Sequence, residues 1–220
     1  MKLTFFHLLS LLGVAGILLT HTAKARAQEE DTRLRVVKIE GSASAYHDEN
    51  DETSRLKVGD KVDDGDKITT GTKSKIVLRL PGRAYVVLGP NTKVNVSRLR
   101  IGEKGLQVRL NLLTGDLWCQ LDRAPDYAFE VSMQNLIGRC HGTLIEAVRQ
   151  KDDARIIAFE GPVVTTSGAQ VKIAKTGEIL QYIHEKFRYK HRLKRSDEVR
   201  RNQWKKDLGV ISQKPPVKAP

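Results

Sequence analysis

The chain reads as an all-β protein, a twisted solenoid-like or sandwich-like domain with a C-terminal α-helical basic extension. Three observations lead there. Apolar residues alternate with a period of two through short runs between Leu56 and Gly177. Gly, Pro, Asn and Asp recur between those runs as turn chemistry. No helical stretch of a dozen residues alternates with the strands, which disfavours a parallel α/β sheet.

Residues 1–27 read as an export signal. Lys2 supplies the positive start, Leu8 to Leu19 an apolar stretch, and Ala25-Arg26-Ala27 small residues at cleavage spacing, so that Ala25 and Ala27 flank the cut and Gln28 becomes the first mature residue. An uncleaved anchor is the alternative, because Leu3 to Leu19 is almost long enough to span a tilted bilayer. Residues 28–55 begin acidic, then carry Leu34 to Ile39 as a strand with Gly41 as the turn of a first hairpin. His47 to Ser54 reads as an exposed polar loop.

Residues 56–177 form the β domain. Ile76, Leu78 and Leu80 face one way and Lys75, Val77 and Arg79 the other. Tyr85–Leu88, Val94–Val96, Leu106–Leu110 and Ala128–Val131 continue the pattern, with turns at Pro81-Gly82, Gly89-Pro90-Asn91, Gly102, Gly115-Asp116 and Gly161-Pro162. Residues 178–209 read as a basic helical extension. Leu180, Ile183 and Phe187 stand at helical spacing in a first helix over Glu178 to Tyr189, and Ser196 caps a second that ends near Gly209. Residues 210–220, with three prolines and lysines, read as a disordered tail.

Charge is the unusual quantity. The chain has 38 Lys and Arg against 26 Asp and Glu, a net of +12, and from Gln181 onward 12 basic residues face 4 acidic ones, a net of +8. Lys186, Arg188, Lys190, Arg192, Lys194, Arg195, Arg200, Arg201, Lys205 and Lys206 are the candidate residues for binding an anionic surface. The plainer reading is a solvated basic face that keeps the protein soluble.

Cys119 and Cys140, an even pair in an exported chain, are a candidate disulfide; two buried free thiols are the alternative. With His141 they would supply three metal ligands, but no second short-spaced pair accompanies them. Asp60, Asp63, Asp64 and Asp66 could hold calcium or simply cap their own turns. Gly65 to Ser74 departs from a phosphate-binding loop in its glycine spacing, so no nucleotide is expected. No nucleophile-elbow signature is present and the histidines are scattered singly, so neither catalysis nor a cofactor is expected.

The turn motifs carry a resemblance. Gly59-Asp60, Gly65-Asp66-Lys67-Ile68-Thr69-Thr70-Gly71, Ser74 to Leu80, Leu88-Gly89-Pro90-Asn91-Thr92, Gly142-Thr143-Leu144 to Val148 and Phe159-Glu160-Gly161-Pro162-Val163-Val164 follow one another in the order of the FecR-type domain, over about Leu56 to Gly177. Physically, Gly59, Gly65, Gly71, Gly142 and Gly161 punctuate strand entry, with Asp60, Asp66 and Thr143 bonding the turn backbone. The resemblance implies a periplasmic β domain best known as the sensing half of regulators of ferric-siderophore uptake. Two departures stand out: Pro81-Gly82 is shorter than the usual Pro-Asp-Gly, and Cys140-His141 replaces an aliphatic-Arg pair. Because only Met1 and Lys2 precede the apolar run, direct sigma-factor contact is not expected.

The sequence therefore predicts a non-enzymatic protein exported to the periplasm or cell envelope. Its β domain would bind a partner protein or envelope ligand, positioned by the basic helices, which could also touch a membrane peripherally. The alternative is a structural tether to an anionic envelope component through the basic tail.

Overall fold

Strands that alternate apolar and polar residues must bury one face, and here two rows of such strands bury theirs against each other. The computed structural model describes residues 32–81, 84–102, 105–121 and 127–212; the segment 1–31, with Ala25, Ala27 and Gln28, and the tail 213–220 lie outside them. Among the described residues the body is one open sheet of 17 strands folded back on itself, followed by one helix. In chain order the strands are β1 (Leu34–Glu40), β2 (Ala43–His47), β3 (Glu52–Arg55), β4 (Lys61–Val62), β5 (Lys67–Thr70), β6 (Lys75–Leu80), β7 (Ala84–Leu88), β8 (Lys93–Gly102) and β9 (Gly105–Gln120). Then come β10 (Tyr127–Met133), β11 (Leu136–Cys140), β12 (Leu144–Gln150), β13 (Asp153–Glu160), β14 (Val163–Ser167), β15 (Gln170–Ala174), β16 (Glu178–Ile183), β17 (Lys186–Arg192) and α1 (Arg195–Ser212).

Pairing sorts these strands into two rows. The first runs β4-β1-β6-β7-β9-β12-β13-β16-β17, antiparallel throughout. The second runs β3-β2-β5-β8-β9-β10-β11-β14-β15, with β9 and β10 its one parallel pair. Strand β9 belongs to both, its early residues pairing with β8 and its late residues with β7 and β12. After β9 the chain lays hairpins on the two rows in turn, giving the expected all-β body with a helix after it.

Between the rows lies the main core. The first row contributes Leu34, Val36, Ile76, Leu78, Leu80, Ile145 and Ile156, and the second contributes Ala45, Ile68, Val94, Val108, Phe129 and Val131. Ile76, Leu78 and Leu80 face this core as their alternation predicted. The outward residues of the first row are apolar too. Val77, Val87, Trp118, Leu144, Ile157 and Phe159 form a second cluster with Leu208 of α1, so the helix is a third layer.

Three sequence expectations need correction. Gly41 is not a hairpin turn: β1 and β2 belong to different rows, and the chain crosses between them there. His47 to Ser54 is not a free loop but the β2–β3 hairpin. Glu178 to Tyr189 is not helix. Leu180 and Tyr182 point inward while Ile179 and Gln181 point away, and the segment pairs as β16 and β17 around His184 and Glu185. The helical spacing of Leu180, Ile183 and Phe187 is outweighed by the ladder that β13 offers to β16.

Candidate recognition surfaces

The Gly-Asp motifs prove to be interlocking turns. Gly59 and Gly65 hold φ of +101° and +93°, which a side chain would strain. Each following Asp reaches backward: Asp60 Oδ2 accepts the Lys57 amide at 2.7 Å and Asp66 Oδ2 accepts the Asp63 amide at 2.9 Å. In each case the amide bonded lies three residues before the Asp. The Gly65 amide donates to Val96 and that of Gly71 to Ser42, tying the turns to neighbouring strands. Gly142 and Gly161 hold φ of +59° and +76°; the Thr143 carbonyl accepts the Leu121 amide, and the Gly161 amide donates to Thr176 Oγ1.

The structure assembles one cluster that sequence spacing did not reveal. His47 Nδ1 lies 3.1 Å from Asp66 Oδ2, and its Nε2 lies 2.8 Å from Ser54 Oγ. In the Nδ1–H tautomer His47 donates to the Asp66 carboxylate and its Nε2 accepts the Ser54 hydroxyl. A nucleophile, a base and an acid therefore stand in sequence. Acyl transfer also needs a place for substrate, and neither of the clefts described below is lined by these residues. The cluster instead pins the β2–β3 hairpin to the second Gly-Asp turn.

The basic candidate residues divide between two elements. Lys186, Arg188, Lys190 and Arg192 lie on β17, the outer strand of the first row, Lys194 precedes α1, and Arg195, Arg200, Arg201, Lys205 and Lys206 lie on it. Some are engaged. Arg200 Nη2 stands 3.1 Å from Glu146 Oε2 and 3.0 Å from Asp197 Oδ1, and Lys205 pairs with Glu160. Lys186, Arg188, Arg192, Lys194, Arg195 and Lys206 are exposed. Charge along an outer strand also discourages edge-to-edge aggregation, so these residues have a structural role whatever they bind.

At the far end of the second row, β15 pairs with β14 on one side. Val164, Val171 and Ile173, exposed by 38%, 59% and 49%, form a group of exposed apolar side chains here, with Ile173 directly opposite Val164. Arg139 lies opposite Val164 on the other flank and pairs with Glu130, which also holds Arg109. A cleft of about 500 Å³ opens nearby between hairpin turns, lined by Gln134, Asn135, Ile137, Ser167, Tyr182 and Glu185 among others. A second, of about 220 Å³, lies by Tyr46, Lys67, Lys93 and Leu113.

The cysteines are buried free thiols, Cys119 on β9 and Cys140 on β11. They are not bonded to each other in the structure, and both pack into the core between the rows, Cys119 from the first row and Cys140 from the second. Burial pushes the Cys140 thiol up to about 12 and raises that of Cys119 well above its ordinary value. Among the described residues no three His, Cys, Asp or Glu side chains converge as a metal site, so His141 does not join the cysteines, and the acidic turn residues form no calcium cage. No helix among the described residues is long and apolar enough to cross a membrane.

Residues 66–164 match the family model described as FecR protein. Two crystal structures of a candidate anti-sigma factor from Parabacteroides distasonis are similar in fold. Their TM-scores are 0.53 and 0.52 at 11% sequence identity, covering 62% and 60% of this chain and 64% and 62% of that one. The chain thus spans less than two thirds of the length of these neighbours, and the likeness concerns fold alone. No curated protein matches the chain in sequence.

Proposed function

The chain carries a FecR-type domain, and from this premise we propose that it is a non-enzymatic recognition protein, exported to the periplasm or cell envelope, whose β domain binds a partner protein in a sensing or signalling role. The observation that carries the reading is the edge of β15 that pairs with no other strand among the described residues, beside the exposed pair Val164 and Ile173. An extended partner segment can add to such an edge, with backbone hydrogen bonds supplying affinity and the apolar pair supplying register. The exposed basic residues of β17 and α1 position the domain against an anionic envelope surface. No nucleotide or cofactor enters this reading.

A second reading makes the protein a tether, with the basic segment as the binding element and the β domain as a spacer. The concentration of charge after Gln181 favours it. Cutting the chain at Gln181 cannot separate the two, because it removes half of β16 and all of β17, and β13 loses pairing partners. The test is therefore to neutralise Lys186, Arg188, Arg192, Lys194, Arg195 and Lys206 together to Gln and crosslink both forms in cells that express the protein. Recognition by the β domain predicts the same protein partner in both forms, at low and high salt. Capture of mixed anionic material by the native form alone, lost at high salt, supports the tether and overturns the first reading.

A further inference from the structure

The outer face of the first row is covered by α1, and the contact mixes a firm apolar anchor with an incompletely satisfied polar one. Trp204 of α1 stacks on Trp118 of β9 with ring centroids 5.5 Å apart and planes 19° from parallel, and Leu208 is buried beside it. The ammonium of Lys75 lies 5.1 Å from the centre of the Trp204 ring, and Lys205 reaches Glu160 at the end of β13. The helix begins with a cap of its own, since Asp197 Oδ2 accepts the Lys194 amide at 2.8 Å.

One turn along, the contact changes character. Glu146 of β12 is 2% exposed and lies beneath the helix. Facing it are Arg200 and Asp197 from α1, Asp116 from β9 and Arg155 from β13, two cations and two further carboxyl groups. Arg200 stands 3.1 Å from Glu146 Oε2, yet that oxygen makes no well-directed hydrogen bond. A buried carboxylate that shares its cation with Asp197 is poorly stabilised as an anion. Lifting the helix would return it to water, where the anion is stable.

We propose that α1 is a releasable strap whose hold on the sheet depends on a proton at Glu146, tightening as the surroundings acidify and loosening as they turn alkaline. Burial raises the Glu146 carboxyl to about 7, with Asp116 and Asp197 adding to the rise and Arg200 and Arg155 opposing it. Asp116 is itself raised by burial. The strapped form therefore holds a proton that the released form gives up. Between the ordinary carboxyl range and about 7, docking weakens as pH rises. Release uncovers Val77, Val87, Trp118, Leu144, Ile157 and Phe159 as one apolar face. The strap thus makes the availability of that face, and not the fold of the β sandwich, the proton-dependent property.

Hydrogen exchange of residues 195–212 in the full chain, corrected for intrinsic rates, reads the strap directly. Between about pH 5 and about pH 8 the opening equilibrium of α1 should rise roughly tenfold or more while that of β6 and β12 stays unchanged. Glu146→Gln, which keeps the shape of the protonated side chain, should remove the dependence and hold α1 as tightly at the upper pH as the native chain does at the lower. It also isolates the effect of Glu146 from that of every other ionisable group in the chain. Constant protection of α1 across the range overturns the proposal. So does a Glu146→Gln protein that keeps the native pH response.

Discussion

Asp66 is the residue on which the N-terminal third of the fold converges. Its carboxylate closes its own turn at the Asp63 amide and orients His47, which in turn holds Ser54 on β3. The Gly-Asp motif was visible in the sequence, and its partners were not, because His47 and Ser54 are separated from it by 19 and 12 positions and joined by hairpin geometry alone. Cys119 and Cys140 teach a related lesson. Their even count suggested a bond, and the fold does bring both thiols into one core from facing rows, where the structure leaves each of them free. Both thiols are buried and raised above the ordinary value of 9, to about 12 for Cys140. Neither should react with an aromatic disulfide reagent at neutral pH until the protein unfolds, and mass mapping should find both free. The sign of the pH effect follows. The unfolded thiols ionise first, so their contribution to stability is full below 9 and is lost as pH climbs toward about 12. A urea-melt series across that range checks it.

At the scale of elements, α1 is a structural layer and not an appended tail. Trp204→Ala should weaken its docking by about 2 kcal/mol through loss of stacking and apolar burial. The measurable consequence is faster exchange across residues 195–212 with little change in β6 or β12. A loss spread evenly over the whole molecule would instead place Trp204 in the cooperative core. The helix was legible in the acidic first turn of Asp197 and Glu198, although it begins at Arg195 and Asp197, not Ser196, supplies the side-chain cap. Its covering role was also written in the strands. Ile76-Val77-Leu78, Tyr85 to Leu88 and Ile156 to Phe159 are continuous apolar runs, the mark of a sheet buried on both faces. Read only for alternation, they gave the inward face and hid the outward one. The β16–β17 hairpin was hidden for a different reason. Its turn places His184 and Glu185 at φ of +48° and +62°, so neither Gly nor Asn announces it.

For the whole molecule, the consequence of two rows plus a helix is an asymmetry between ends. One outer face is sealed by α1, and the outer strand of that row, β17, is guarded by Lys186, Arg188 and Arg192. The β15 end of the other row presents Val164, Val171 and Ile173, with Lys172 between the last two along the strand. The fold class was readable from periodicity, and the family from six motifs in order. The open end was not readable, because Val171 and Ile173 look like any inward pair until the register with β14 assigns them to the outer face. The central claim is that this end recognises a protein. It is tested most directly by placing a photoactivatable crosslinking residue at Ile173, and in a separate chain at the exposed Val58, within cells that express the protein. The account predicts a single protein captured from position 173, retained at high salt, with no such product from position 58. Equal capture from both positions, or none from 173 while the basic residues alone retain the protein on anionic material, would contradict it.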